Sequence, residues 1–195
     1  LRFLDKDGFG VTSWAISALE YAVANGAQIS NNSWGGGGYE PALYSAIASA
    51  QQQYHLFVAA AGNSGQTSDI NPMYPAAYDL SNIISVAAIN SNGALAGFSN
   101  YGVNSVDIAA PGVSILSTMS EDSAACSSSP PCYTSWDGTS MAAPHVAGVA
   151  ALILGLNNQL TPEDIITIIL DNARSTVSLN GRVYSGGELD GGRAA

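Results

Sequence analysis

The chain has 195 residues, 47% of them hydrophobic and only 10% charged, and carries a formal net charge of −10. No Lys or Arg stands between Lys6 and Arg174, which excludes nucleic acid as a partner, because that needs cations clustered on one face. The same gap excludes a phosphate-binding P-loop at the glycine run Gly35 to Gly38, since the lysine of such a loop is lacking.

The length suits one domain, residues 1–195, with a substantial core. Residues 13–25 read as a helix: Trp14, Ala18, Leu19, Ala22 and Val23 recur at helical spacing, and Gly26 is its stop. Residues 27–31 follow as a strand. A second helix spans 41–53, with Leu43, Ile47 and Ala50 inward, and 56–61 is a continuous apolar strand of the kind covered on both faces. Residues 83–88 and 106–110 repeat that character. A core helix starts near Ser140 and continues through Leu152, Ile153 and Leu154, with Pro144 accommodated in its first turn. Thr161-Pro162-Glu163-Asp164 opens the last helix with a capping hydroxyl, a first-position Pro and two acids, and Ile165, Ile168 and Ile169 face inward. No uninterrupted apolar run reaches the roughly 18–20 residues that cross a bilayer, so no membrane span is expected. The fold class is α/β, a mostly parallel sheet with helices on both faces. Ligands of such sheets bind beyond the strands' carboxyl ends, where Asn32-Ser33 and Gly62-Asn63 both fall.

Gly138-Thr139-Ser140-Met141-Ala142-Ala143-Pro144-His145-Val146-Ala147-Gly148 is the most informative stretch. Its small side chains let neighbouring elements approach closely, and Ser140 stands at the positive end of a helix dipole, where developing negative charge is favoured. Taken alone, a serine before a helix is far more often a cap than a nucleophile. The whole stretch resembles the nucleophile motif of the subtilisin-like serine proteases, the subtilases. Ala60-Ala61-Gly62-Asn63 is similar to that family's oxyanion-hole segment, and Asn32-Ser33-Trp34-Gly35 to its substrate-binding strand end. Phe98-Ser99-Asn100-Tyr101-Gly102 and Asp107-Ile108-Ala109-Ala110-Pro111-Gly112-Val113 stand in the expected order before the nucleophile.

The resemblance implies a subtilisin-like three-layer α/β sandwich and a serine endopeptidase. Ser140 is its nucleophile, and Asn63 is the oxyanion donor through a carboxamide N–H. Asn63-Ser64-Gly65 is also ordinary turn chemistry. Ser33, Trp34, Gly35, Ala60, Ala61, Gly62, Met73 and Thr139 are the expected substrate-binding residues. Ala60, Ala61 and Gly62 wall the pocket for the residue before the cut, and Met73 lies near its base. That lining predicts apolar or aromatic preference, although Met73 and Trp34 are equally consistent with plain packing. The partner is a peptide or protein substrate, and the family adds a propeptide. No cofactor is required. Structural calcium is common in the family, and Asp107, with carbonyls near Ala76 and Tyr78, resembles a cation site.

The base is the difficulty. His145 lies five residues after Ser140, about 140° around and about 7.5 Å along a helix, out of reach of its hydroxyl; the resemblance makes it the motif's buried, non-catalytic histidine. His55 enters an apolar strand, as a surface or packing residue does. The family's Asp-[Ser/Thr]-Gly and His-Gly-Thr motifs are absent. Nor does the chain begin with Met or a signal peptide; it starts at Leu1 as if cut from something longer. The resemblance thus implies the C-terminal portion of a peptidase domain, incomplete at its N-terminus. Such a portion lacks an interior strand and is expected to be inactive and poorly folded alone. Cys126 and Cys132, flanking turn-forming residues, are either free thiols or a short-loop disulfide of an oxidising compartment. A secreted or lumenal location follows from the family and the second reading. The alternative function is a non-catalytic relative that keeps the peptide groove.

Overall fold

A computed structural model describes residues 1–5, 8–120 and 132–195. After a non-regular start come α1 (Thr12–Ala24), β1 (Ile29–Asn32), α2 (Pro41–Gln51), β2 (Leu56–Ala60), β3 (Ile83–Ile89) and β4 (Ile108–Pro111). A two-stranded hairpin, β5 (Ile115–Thr118) with β6 (Tyr133–Trp136), returns the chain to α3 (Thr139–Leu156). The remainder holds α4 (Pro162–Asp171), β7 (Arg174–Ser175), a short 3-10 turn at Val177–Leu179, β8 (Gly187–Glu188) and α5 (Gly191–Ala194). The main sheet has the order β1-β2-β3-β4-β8-β7 and is parallel except for the β7–β8 pair.

Every residue of β2 and β3 is buried, as the apolar runs require of strands covered on both faces. Alternate side chains divide between two cores. Leu56, Val58, Ala60, Ile84, Val86 and Ala88 meet Ala142, Val146, Ala150 and Ile153 of α3 and Ile165 and Ile169 of α4. Phe57, Ala59 and Ile83 meet Leu19 of α1 and Leu43, Ile47 and Ala50 of α2. Period-two alternation on the strands thus selects opposite helical layers. The α/β class with helices on both faces is the observed architecture.

The small residues of the Ser140 motif act as expected. A Cβ placed on Gly112, just past β4, would stand 2.6 Å from Ala88 Cβ, 2.8 Å from the Gly138 carbonyl and 3.2 Å from Ala142 Cβ. Gly138 N–H donates to the Gly112 carbonyl at 2.8 Å, so the start of α3 abuts the carboxyl ends of β3 and β4. The α4 start forms a reciprocal cap: Asp164 N–H donates to Thr161 Oγ1 at 3.1 Å, and Thr161 N–H to Asp164 Oδ2 at 2.9 Å.

Three expectations need correction. Pro144 is not in the first turn but inside α3, whose first residue is Thr139. The strand expected over 106–110 begins at Ile108, because Val106 N–H is taken by the Gly102 carbonyl in a turn. His145 is exposed rather than buried, its Nδ1 held at 2.9 Å from the Met141 carbonyl one turn back. The α3 segment is also long and apolar enough to cross a membrane by length and composition, with mean hydropathy 1.6 over 18 residues. Here α3 packs on β1, β2, β3 and β4 as a core helix. Cys132 is buried and disulfide-bonded; Cys126 lies outside the described residues.

Candidate functional site

The parallel register sets Asn32 beside Ala59 and Ala60 beside Val86. The carboxyl ends of β1 and β2 therefore open side by side, and the start of α3 meets them there. The residues leaving β2 are shaped by Asn100, which is fully buried. Its Nδ2 donates to the Ala61 carbonyl at 3.0 Å, its Oδ1 accepts Ser64 N–H at 2.9 Å, and its backbone N–H donates to the Gly62 carbonyl at 2.9 Å. Gly62 has φ +106°, and a Cβ there would stand 2.5 Å from Asn100 Nδ2 and 3.0 Å from Met73 Cε. Only glycine fits that conformation and that space. Asn63 is presented by this constrained loop.

Thr139 then fixes the carboxamide. Its backbone N–H and its hydroxyl both reach Asn63 Oδ1 at 2.9 Å, while its Oγ1 accepts Gly62 N–H at 3.1 Å. With the carboxamide oxygen occupied, the orientation of the amide follows from the network. Among the described residues nothing accepts from Asn63 Nδ2. The point where a Cβ on Gly138 would stand is 3.6 Å from Asn63 Nδ2 and 3.6 Å from Ser140 backbone N. Two N–H donors from distant parts of the chain thus flank one spot, and Asn63 is exposed there.

Ser140 is half-buried, and its Oγ donates to the Ser33 carbonyl at 3.2 Å. Neither histidine joins it. His145 Nδ1 is turned back to Met141. His55 is fully buried: Nδ1–H donates to the Ala27 carbonyl at 2.7 Å, which leaves Nε2 to accept from Ser30 Oγ at 2.8 Å. Burial pushes the His55 imidazole below its usual range, outweighing the opposing pull of the Ala27 carbonyl.

The expected substrate-binding residues divide into two groups. Ser33, Trp34, Gly35, Gly62 and Met73 lie at the opening. Met73 Cγ and Sδ stand 3.7 and 3.8 Å from the Cβ position of Gly35, and its Cε faces Gly62, so its side chain crosses between the two strand ends. Trp34 packs edge-on against Phe3 and Phe57, with ring centroids 5.2 and 6.3 Å away, which is the packing reading, and its Nε1 donates to Asn32 Oδ1 at 3.3 Å. Thr139, Ala60 and Ala61 are buried behind the opening. The Thr139 hydroxyl is engaged by Asn63 and Gly62, and Ala61 uses its N–H on Val86 and its carbonyl on Asn100. The support given by Asn100 was not anticipated; the signal the sequence offered was its place in the Phe98–Gly102 segment that carries the resemblance.

The comparisons with known proteins give the family and the fold. The model of the subtilase family matches residues 1–187. The chain belongs to the subtilase family. It is 42% identical over 155 residues to subtilisin DY of Bacillus licheniformis, covering 79% of this chain and 52% of that protein. It is 36% identical over 193 residues to subtilisin-like protease 2 of Plasmodium falciparum, covering 95% of this chain and 14% of that one. A solved cold-adapted subtilisin-like serine proteinase superposes with a TM-score of 0.80 at 33% identity, over 94% of this chain and 64% of that chain. A protease from Pseudoalteromonas arctica gives 0.82 at 33% identity, over 95% and 58%. This subtilase chain therefore spans about half the length of the bacterial subtilisin and a small part of the Plasmodium protein.

Proposed function

We propose that the protein carrying this chain is a serine endopeptidase in which Ser140 attacks the scissile carbonyl. Asn63 Nδ2–H and Ser140 N–H receive the oxyanion, and the carbonyl carbon of the tetrahedral intermediate is bonded to Ser140 Oγ. The hydroxyl proton passes to a histidine, held by an aspartate, from outside these 195 residues. Collapse of the intermediate returns that proton to the leaving amine, and water then hydrolyses the acyl-enzyme. The observation that carries the reading is the occupied Asn63 Oδ1: Thr139 takes it, so the carboxamide can only present N–H to the space beside Ser140.

Substrate enters as an extended strand along Ser33, Trp34 and Gly35, read through its main chain. With Met73 and Gly62 at the opening and no charged side chain among them, the residue before the cut is apolar. A strict Arg or Lys preference in a peptide library would contradict this. Asp107 supports a structural cation: its carboxyl accepts Ser85 N–H at 2.6 Å and is pushed up to about 6 by burial, and it lines one pocket with Ala76, Tyr78 and Asp79. Among the described residues no group of three His, Cys, Asp or Glu gathers, so carbonyl oxygens would complete such a site. Added calcium is expected to raise the Tm of the full-length protein and not of its D107N variant. An extracellular protein matured by loss of a propeptide is the setting this chemistry suits.

The test is S140A in the full-length protein: hydrolysis of a peptide library is expected to vanish while peptide binding persists. Binding without hydrolysis in the unsubstituted protein would instead favour a non-catalytic peptide-binding relative.

A further inference from the structure

An α-helical carbonyl takes the N–H of the residue four positions on. For Ser140 that residue is Pro144, which lies inside α3 and has no N–H. The carbonyl is nevertheless answered: Ser33 Oγ, at the exit of β1, donates to it at 2.7 Å. Asn31 Nδ2 donates to the same Ser33 oxygen at 2.9 Å, which turns the hydroxyl proton away from Asn31 and towards Ser140. In return Ser140 Oγ donates to the Ser33 carbonyl at 3.2 Å. Two reciprocal bonds thus join residues 107 apart in sequence, one through the main chain of Ser140 and one through its side chain.

We infer that Ser33 is a positioning residue for Ser140, supplying from β1 the hydrogen bond that Pro144 withholds inside α3. An ordinary helical residue at position 144 would satisfy the Ser140 carbonyl within α3 and leave the helix start free to shift against β1. Proline makes that carbonyl depend on β1, so the nucleophile and the strand along which substrate lies are held as one unit. The assignment rests on the proposed role of Ser140 and goes beyond it, since Ser33 acts on the nucleophile and not only on substrate. A displacement of about 1 Å at a reacting centre can lower a rate by about 10²-fold, so the loss of an anchor on the nucleophile's own carbonyl is visible in kcat.

The test is a double-mutant cycle in the full-length protein with S33A, P144A and the pair, read by peptide hydrolysis and by Tm. S33A is expected to lower kcat by about tenfold with KM within about twofold, the pattern of an interaction that aims the nucleophile and does not bind substrate. S33T keeps the hydroxyl and is expected to retain most of the activity. P144A restores an N–H to the Ser140 carbonyl, so in that background S33A is expected to cost less than about twofold in kcat and a smaller fall in Tm. Equal penalties for S33A in both backgrounds would overturn the inference, as would a loss confined to KM. Should the full-length protein hydrolyse nothing, the proposed function fails separately. The Tm cycle then still decides whether Ser33 stands in for the missing Pro144 N–H.

Discussion

Asn63 and Thr139 show how one side chain's role is set by another's. A carboxamide can present oxygen or nitrogen, and Thr139 settles the choice by donating twice to Oδ1. N63A in the full-length protein is expected to lower kcat by roughly 10²–10³-fold with little change in KM, the size seen for this kind of donor in subtilisin itself; steady-state kinetics on a peptide checks it. Two buried titratable groups give opposite pH slopes. His55 is held below its usual range by burial, so its contribution to stability is present above about 6.5 and lost as pH falls through the lower folded value. The Asp107 carboxyl is raised to about 6, so its contribution is present below about 3.9 and lost as pH rises through that value. Tm measured against pH should therefore lose its acid-side decline in H55Q and become steeper there in D107N. The same slope in all three proteins would contradict both assignments.

At the scale of elements, the loop after β2 depends on Asn100 as much as on its own residues. N100A leaves the Ser64 N–H and the Ala61 carbonyl without their partner, each costing about 1–3 kcal/mol when buried. It is expected to lower both Tm and kcat. This interaction shows where sequence reading ran out. The apolar runs of β2 and β3 and the Thr161 cap were legible because period, burial and capping are local. The Ser140 and Asn63 segments were legible through their resemblance to subtilases. Asn100, the Thr139 hydroxyl and the Ser33–Ser140 pair were not, since each is a contact across 36 residues or more. The β5–β6 hairpin escaped because its strands are short and mostly exposed, so burial imposes no pattern on them. Pro144 was misplaced although the expected start near Ser140 lies within one residue of the observed Thr139, because it is the sixth residue of α3 and so stands past the first turn.

At the scale of the molecule, β1 ends the sheet order, and a groove of about 820 Å³ separates it and α1 from Leu1, Arg2, Phe3 and Leu4. The subtilase resemblance implies an interior strand between these segments. Residues 1–195 alone are accordingly expected to unfold without a sharp transition and to hydrolyse no peptide. Cooperative unfolding together with rapid hydrolysis would refute that. Ser140 and Asn63 are proposed to converge on one oxyanion. The most direct test is mass-spectrometric mapping of a fluorophosphonate adduct on the full-length protein, with labelling rates followed in parallel for N63A. A single adduct is expected on the peptide containing Ser140, absent in S140A and formed far more slowly in N63A. An adduct on another serine, or an unchanged rate in N63A, would contradict that convergence.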